Sequence, residues 1–141
     1  MIEHIQKTYQ AINAQTLKAG ILSELYTDDV VFIDPIHRIS GLAQLERYFT
    51  ALYRNVKTVH FEYGHCGSDQ KNELFMEWEM TMEHPRLNGG APVIVNGLTL
   101  FSVRDGKVYQ HRDYFDTAQM LFEHLPILGR VIRFIKHRLG Q

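Results

Sequence analysis

Two aspartates stand where folding alone gives carboxylates little reason to be. Asp113 lies in KVYQHRDYFD, residues 107–116, a run that follows the turn RDG at 104–106 and alternates as a strand does. Period two puts Tyr109, His111, Asp113 and Phe115 on one face and Arg112, Tyr114 and Asp116 on the other. Phe115 reads as a wall residue, so alternation aims Asp113 and His111 inward. A carboxylate set among carbon costs several kcal/mol unless it is protonated or paired, so Asp113 is either functional or closes an ion pair. Asp34 ends the β-branched run Val30 to Ile33 and precedes Pro35, a place where aspartate is also a common turn starter. Two carboxyl groups facing one dry cavity do not ionise together easily. One is pushed toward the neutral form while the other stays charged, which gives a general base with an acid beside it, suited to moving a proton next to a carbonyl. His37 and His111 can relay or steer that proton, or can simply be rim residues.

Other chemistries find less support. The chain has eight histidines but no His-x-x-x-His pair, and His111 with Asp113 supplies too few ligands for a metal site. No glycine-rich phosphate loop and no serine in a nucleophile elbow occurs, so the expectation is an activity without metal or cofactor. The lone cysteine, Cys66, excludes an internal disulfide and suits a reducing compartment. With 15 basic and 16 acidic residues, nothing draws the molecule to nucleic acid. No secretory leader and no membrane-spanning run is read at the start or along the chain, and the expected location is cytoplasmic.

The elements that must position these groups follow from periodicity. Ile2, Ile5, Tyr9 and Ile12, then Leu17, Ile21, Leu22 and Leu25, recur at helical spacing and predict two short helices hinged near Asn13–Thr16, with Thr16 as a cap. Thr27, Asp28 and Asp29 end the second helix, Val30–Ile33 reads as a strand, and Leu42, Leu45, Phe49 and Leu52 form the stripe of a third helix. The period then changes to two. Val59–Tyr63 alternates, and Leu74–His84 sets Met76, Trp78, Met80, Met82 and His84 opposite Phe75, Glu77, Glu79, Thr81 and Glu83. After a loop at 84–90, a strand over 93–103 and the Asp105-Gly106 hairpin lead into the 107–116 run. The order predicts an α+β fold, a curved antiparallel sheet wrapped around helices on one face. Such a cone cannot fill its own mouth, so an apolar pocket is expected inside it.

The stretch FIDPIHRISG at 32–41, the helical pair before it and GKVYQHRDYFD at 106–116 resemble the nuclear transport factor 2-like superfamily, which includes SnoaL-like polyketide cyclases, ketosteroid isomerase and limonene epoxide hydrolase. The resemblance covers residues 1 to about 116 and implies a cone-shaped α+β roll, commonly dimeric. Through ketosteroid isomerase it implies Asp34 as base, while that enzyme's oxyanion donors fall near Thr8, with Tyr9 beside it, and near Thr99, where weaker donors stand. Through limonene epoxide hydrolase it implies a role for Asp113, but that enzyme's Arg and Asp on the middle strand are here Trp78 and Met80, and its Tyr and Asn partners are Phe32 and Asp34. What remains is a cavity walled by Phe32, Met76, Trp78 and Met80, closed by Phe101 and Phe115, with Asp34 and Asp113 as its acids.

Beyond residues 1–116, the extension at 117–141 breaks at Pro126. Leu128, Val131, Ile132, Ile135 and Leu139 make an apolar stripe beside Arg130, Arg133, Lys136 and His137, so the second piece is a basic amphipathic helix. It is expected to pack on the domain as a lid over the cavity, with a dimer contact or a weak membrane-surface contact through residues 127–139 as the other uses of such a helix. The sequence therefore supports an isomerase or cyclase acting by proton abstraction on an apolar carbonyl compound. A non-catalytic binder of a lipid-like or polyketide-like molecule is the alternative, and an epoxide hydrolase-like reaction the second alternative. The expected partners are an apolar small molecule and a second copy of the chain.

Overall fold

The computed structural model describes residues 1–69, 71–121, 124 and 126–139. Helix α1 (Ile2–Ala11) buries Ile5 and Thr8, and the chain then turns through Ile12 into α2 (Ala14–Lys18). Asn13, not Thr16, is the cap. Its side chain accepts from the N–H groups of Gln15 and Thr16, while the Thr16 hydroxyl oxygen accepts from Asn13 N–H. Gly20, at φ +82°, then separates α2 from α3 (Leu22–Leu25), so the expected second helix is two pieces joined by a left-handed turn.

Strand β1 (Tyr26–Ile33) begins four residues earlier than expected and takes Thr27, Asp28 and Asp29 into the sheet, where a register irregularity leaves the two aspartates exposed. A three-residue strand, β2 (Arg38–Ser40), pairs back on it and leads into α4 (Leu42–Asn55). Strands β3 (Thr58–Ser68), β4 (Glu73–Glu83), β5 (Val93–Arg104) and β6 (Lys107–Phe115) form an antiparallel meander. The six strands lie in the order β2-β1-β6-β5-β4-β3 in one curved, unclosed sheet. The sheet is mixed, because β1 pairs with β6 in parallel. The meander leaves the outer edge of β6 open, and β1 covers it, which puts β6 between two partners.

The helices pack inside the curve. Leu22, Leu25, Tyr26, Val30, Leu45 and Val108 are fully buried, each contributing about 1.5–3 kcal/mol of transfer free energy if an aliphatic side chain. Along β4 the inward residues are as alternation predicts, with Met76 and Met82 buried and Phe75 exposed. Along β6 they are not. A bulge between the Ser102–Gln110 and Val103–Val108 pairs removes Tyr109 from the inward face, so Val108 and His111, three apart, are both buried. Tyr109 instead lies under the guanidinium of Arg104.

After β6, Asp116 caps α5 (Thr117–Met120) by accepting from Ala118 N–H at 2.8 Å. Helix α6 (Pro126–Leu139) is tied back by Lys136 Nζ, which donates to Asp116 Oδ2 at 3.0 Å and holds that carboxyl below the usual carboxylate range. Of its stripe, Leu128, Val131, Ile135 and Leu139 are exposed and Ile132 is half-buried. Among the described residues, no helix is long and apolar enough to cross a membrane.

Candidate functional site

Rows of paired strands build the site. Inward side chains at matched register form three rows across the sheet: Leu74, Phe101, His111 and Phe32; Met76, Thr99 and Asp113; and Trp78, Gly97 and Phe115. The concave face and the helices over it leave a cavity of about 330 Å³. All twelve residues singled out in the sequence line it: Asp34, His37, His111 and Asp113, with Tyr9, Phe32, Met76 and Trp78, and with Met80, Thr99, Phe101 and Phe115. The extension contributes through Met120 and Leu121 of the α5 turn; no described residue of α6 lines the cavity, so the expectation that this helix covers it is not met among the described residues.

Asp113 and His111 form the middle of a continuous hydrogen-bonded chain. The Trp78 indole N–H donates to Thr99 Oγ1 at 2.8 Å, and the Thr99 hydroxyl donates to Asp113 Oδ1 at 2.5 Å. His111 Nε2 donates to the same oxygen at 2.8 Å. On its other side, His111 Nδ1 accepts from Tyr26 at 2.8 Å, and Tyr26 accepts from Tyr9 at 2.6 Å. This tautomer, assigned from the network, gives every member a donor or acceptor. Burial and the nearby charge of Asp113 push both phenols above their ordinary values, so they remain protonated donors. The result is a carboxylate with Oδ1 held from two sides and Oδ2 accepting nothing from the described residues.

Asp34 is held differently. Its Oδ1 accepts from the backbone N–H groups of Ile36 at 2.7 Å and His37 at 2.6 Å, and its Oδ2 accepts from the Tyr48 hydroxyl at 3.0 Å. His37 Nδ1 lies 3.1 Å from Oδ2, and Asp34 N–H closes the turn on the His37 carbonyl at 3.0 Å. This is an Asx turn, so Asp34 organises the 34–37 loop while lining the cavity. Desolvation and the Asp34 charge raise the Tyr48 phenol above its ordinary range. Asp34→Ala should therefore cost about 1–3 kcal/mol by stranding the two N–H groups, read by urea denaturation. Unchanged stability would show that the turn does not depend on the carboxylate.

Two of the expected oxyanion donors are already engaged. Thr8 donates to the His4 carbonyl within α1, and the Thr99 hydroxyl is committed to Asp113. The polar groups that sequence reasoning missed are tyrosines. Tyr26 is fully buried behind His111, Tyr48 binds Asp34, and Tyr63 lines the cavity with its hydroxyl buried and unpartnered among the described residues. Burial pushes the Tyr63 phenol up to about 12. Val59, Phe61 and Tyr63 alternate on β3, and that parity was the available signal.

The description of the SnoaL-like domain matches residues 5–111, most of the chain. The chain belongs to the SnoaL-like domain family. No functionally curated protein matches its sequence. This SnoaL-like domain shares its fold with an LEH-like epoxide hydrolase from M. tuberculosis, at 20% identity over 84% of both chains and a TM-score of 0.68. It is also similar to a protein assigned as a SnoaL-like polyketide cyclase from Shewanella putrefaciens, at 17% identity over 84% of this chain and 90% of that one, TM-score 0.69. An NTF2-like protein of unknown function from Burkholderia pseudomallei aligns at 14% identity over 85% and 93%, TM-score 0.71. At these identities the likeness is one of fold, and the SnoaL-like cone hosts more than one chemistry.

Proposed function

We propose that this SnoaL-like domain is an isomerase or cyclase that abstracts a proton next to the carbonyl of an apolar compound, with Asp113 as the base. The observation that carries this reading is the asymmetry of Asp113: Oδ1 is fixed by Thr99 and His111, and Oδ2 is left to the cavity. A base needs one oxygen anchored and one available, inside walls that exclude water. His111 is a positioning residue, buried behind the carboxylate and itself oriented by Tyr26. Asp34 is a weaker candidate for the base, since four donors already surround its carboxylate.

The test is proton exchange. A panel of enolisable apolar ketones incubated in heavy water should gain deuterium at the α-carbon in a protein-dependent way, read by mass spectrometry. Absence of exchange across the panel, together with a small molecule co-purifying with the protein, would favour the binding-protein alternative. Tyr63→Phe should leave stability unchanged or slightly raised, read by urea denaturation, since the hydroxyl removed is buried without a hydrogen-bond partner among the described residues. An epoxide hydrolase-like reaction has less support, because Trp78 and Met80 stand where that activity expects an arginine and an aspartate, and Asp34 is engaged in its turn.

A further inference from the structure

The cavity is electrostatically lopsided. Asp34 and Asp113 line it, and among the described residues no lysine or arginine does. Asp34 is compensated where it stands, by two backbone N–H groups, the Tyr48 hydroxyl and His37. Asp113 is compensated on one oxygen only. Thr99 is neutral, and the His111 imidazole needs a single proton to satisfy both its neighbours, since Nδ1 accepts from Tyr26 while Nε2 donates to Oδ1. A carboxylate oxygen facing a carbon-lined space favours whatever positive charge can reach it.

The walls beside that oxygen favour the same guest. The Trp78 indole donates to the very hydroxyl that donates to Asp113, so ring and carboxylate are two hydrogen bonds apart. Phe61 meets Trp78 edge-on with centroids 5.8 Å apart, and the Phe115 ring lies 6.1 Å away on the other side, two residues along β6 from Asp113. Aromatic faces attract a cation through their quadrupole, more strongly where water is excluded. A cavity of about 330 Å³ falls within the range of small-molecule sites.

We infer that the cavity is a receptor for an apolar ammonium compound, a tertiary or quaternary amine with hydrophobic substituents, in which Asp113 Oδ2 is the counter-ion and Trp78 and Phe115 are the cation–π wall. The inference shares Asp113 with the proton-transfer reading but does not need turnover.

The experiment compares benzyltrimethylammonium with neopentylbenzene, its neutral isostere, in which carbon replaces nitrogen. Trp78 is the chain's one tryptophan, so its fluorescence reports on the cavity wall directly, and calorimetry supplies the affinities. The wild-type protein should bind the cation about tenfold or more tightly than the hydrocarbon. Asp113→Asn should abolish that preference while the hydrocarbon still binds, which also shows that the cavity stands. Phe115→Leu should weaken the cation more than the hydrocarbon. Equal affinities in the wild-type protein, no binding of the cation, or a preference that survives Asp113→Asn would each overturn the inference. Ketone exchange with no cation preference would sink this inference alone, and a cation preference without exchange would sink only the proton-transfer reading.

Discussion

Asp113→Asn should slow ketone α-exchange by about 10²- to 10⁴-fold, the usual contribution of a positioned general base, while leaving the affinity for a neutral ligand nearly unchanged. The asparagine carbonyl can still accept from Thr99 and His111, so the strand pairing and the buried chain through Tyr26 and Tyr9 survive. What changes is the atom facing the cavity: an NH₂ replaces Oδ2 and cannot take a proton. Exchange rates by mass spectrometry and binding by Trp78 fluorescence separate the two effects. If the variant exchanges at the wild-type rate, the base lies elsewhere and Asp34 returns as the candidate.

Gly97→Ala should lower stability by about 2–6 kcal/mol and distort the site together with the fold. A Cβ at Gly97 would fall 2.2 Å from Trp78 Cζ2 and 2.3 Å from Cη2, far inside any tolerable contact. The indole has nowhere simple to go, for Phe61 and Phe115 flank it. Overpacking of this kind costs about 1–3 kcal/mol. Displacing the ring also breaks the Nε1–Thr99 bond and leaves an indole N–H unmatched among apolar walls, which adds about 1–3 kcal/mol. Urea denaturation and the Trp78 emission maximum measure both parts. A variant within about 0.5 kcal/mol of wild type, with unshifted emission, would show that the ring repacks freely.

The alternation of β4 and of the second half of β6 was readable because a half-buried strand exposes every other side chain, and Met76, Trp78, His111, Asp113 and Phe115 follow it. The same rule misplaced Tyr109, since a bulge inserts a residue without any change in composition. Three-residue β2 is too short to carry a period, and the parallel β1–β6 pair is a long-range choice that no local pattern encodes. Asp34 was visible both as a pocket acid and as a turn former, and the two N–H donors show that it is at least the second. Tyr26 and Tyr48 escaped notice because a phenol in a helical or strand stripe reads as hydrophobic until its oxygen's neighbour is known.

The parallel pairing of β1 with β6 ties the site to the order in which the chain can be built. His111 sits across from Phe32, and its Nδ1 is met by Tyr26, so the buried relay joins segments about eighty positions apart. Such closures come late, after the loop entropy between them has been overcome. During synthesis a nascent chain that has not yet released its last strand holds β1 and β5 with bare edges and a half-cone that lacks Asp113. The final strand thus fills the gap between β1 and β5 and brings Asp113 to the cavity in one event, so a partly made molecule has neither the continuous six-stranded sheet nor the full cavity lining.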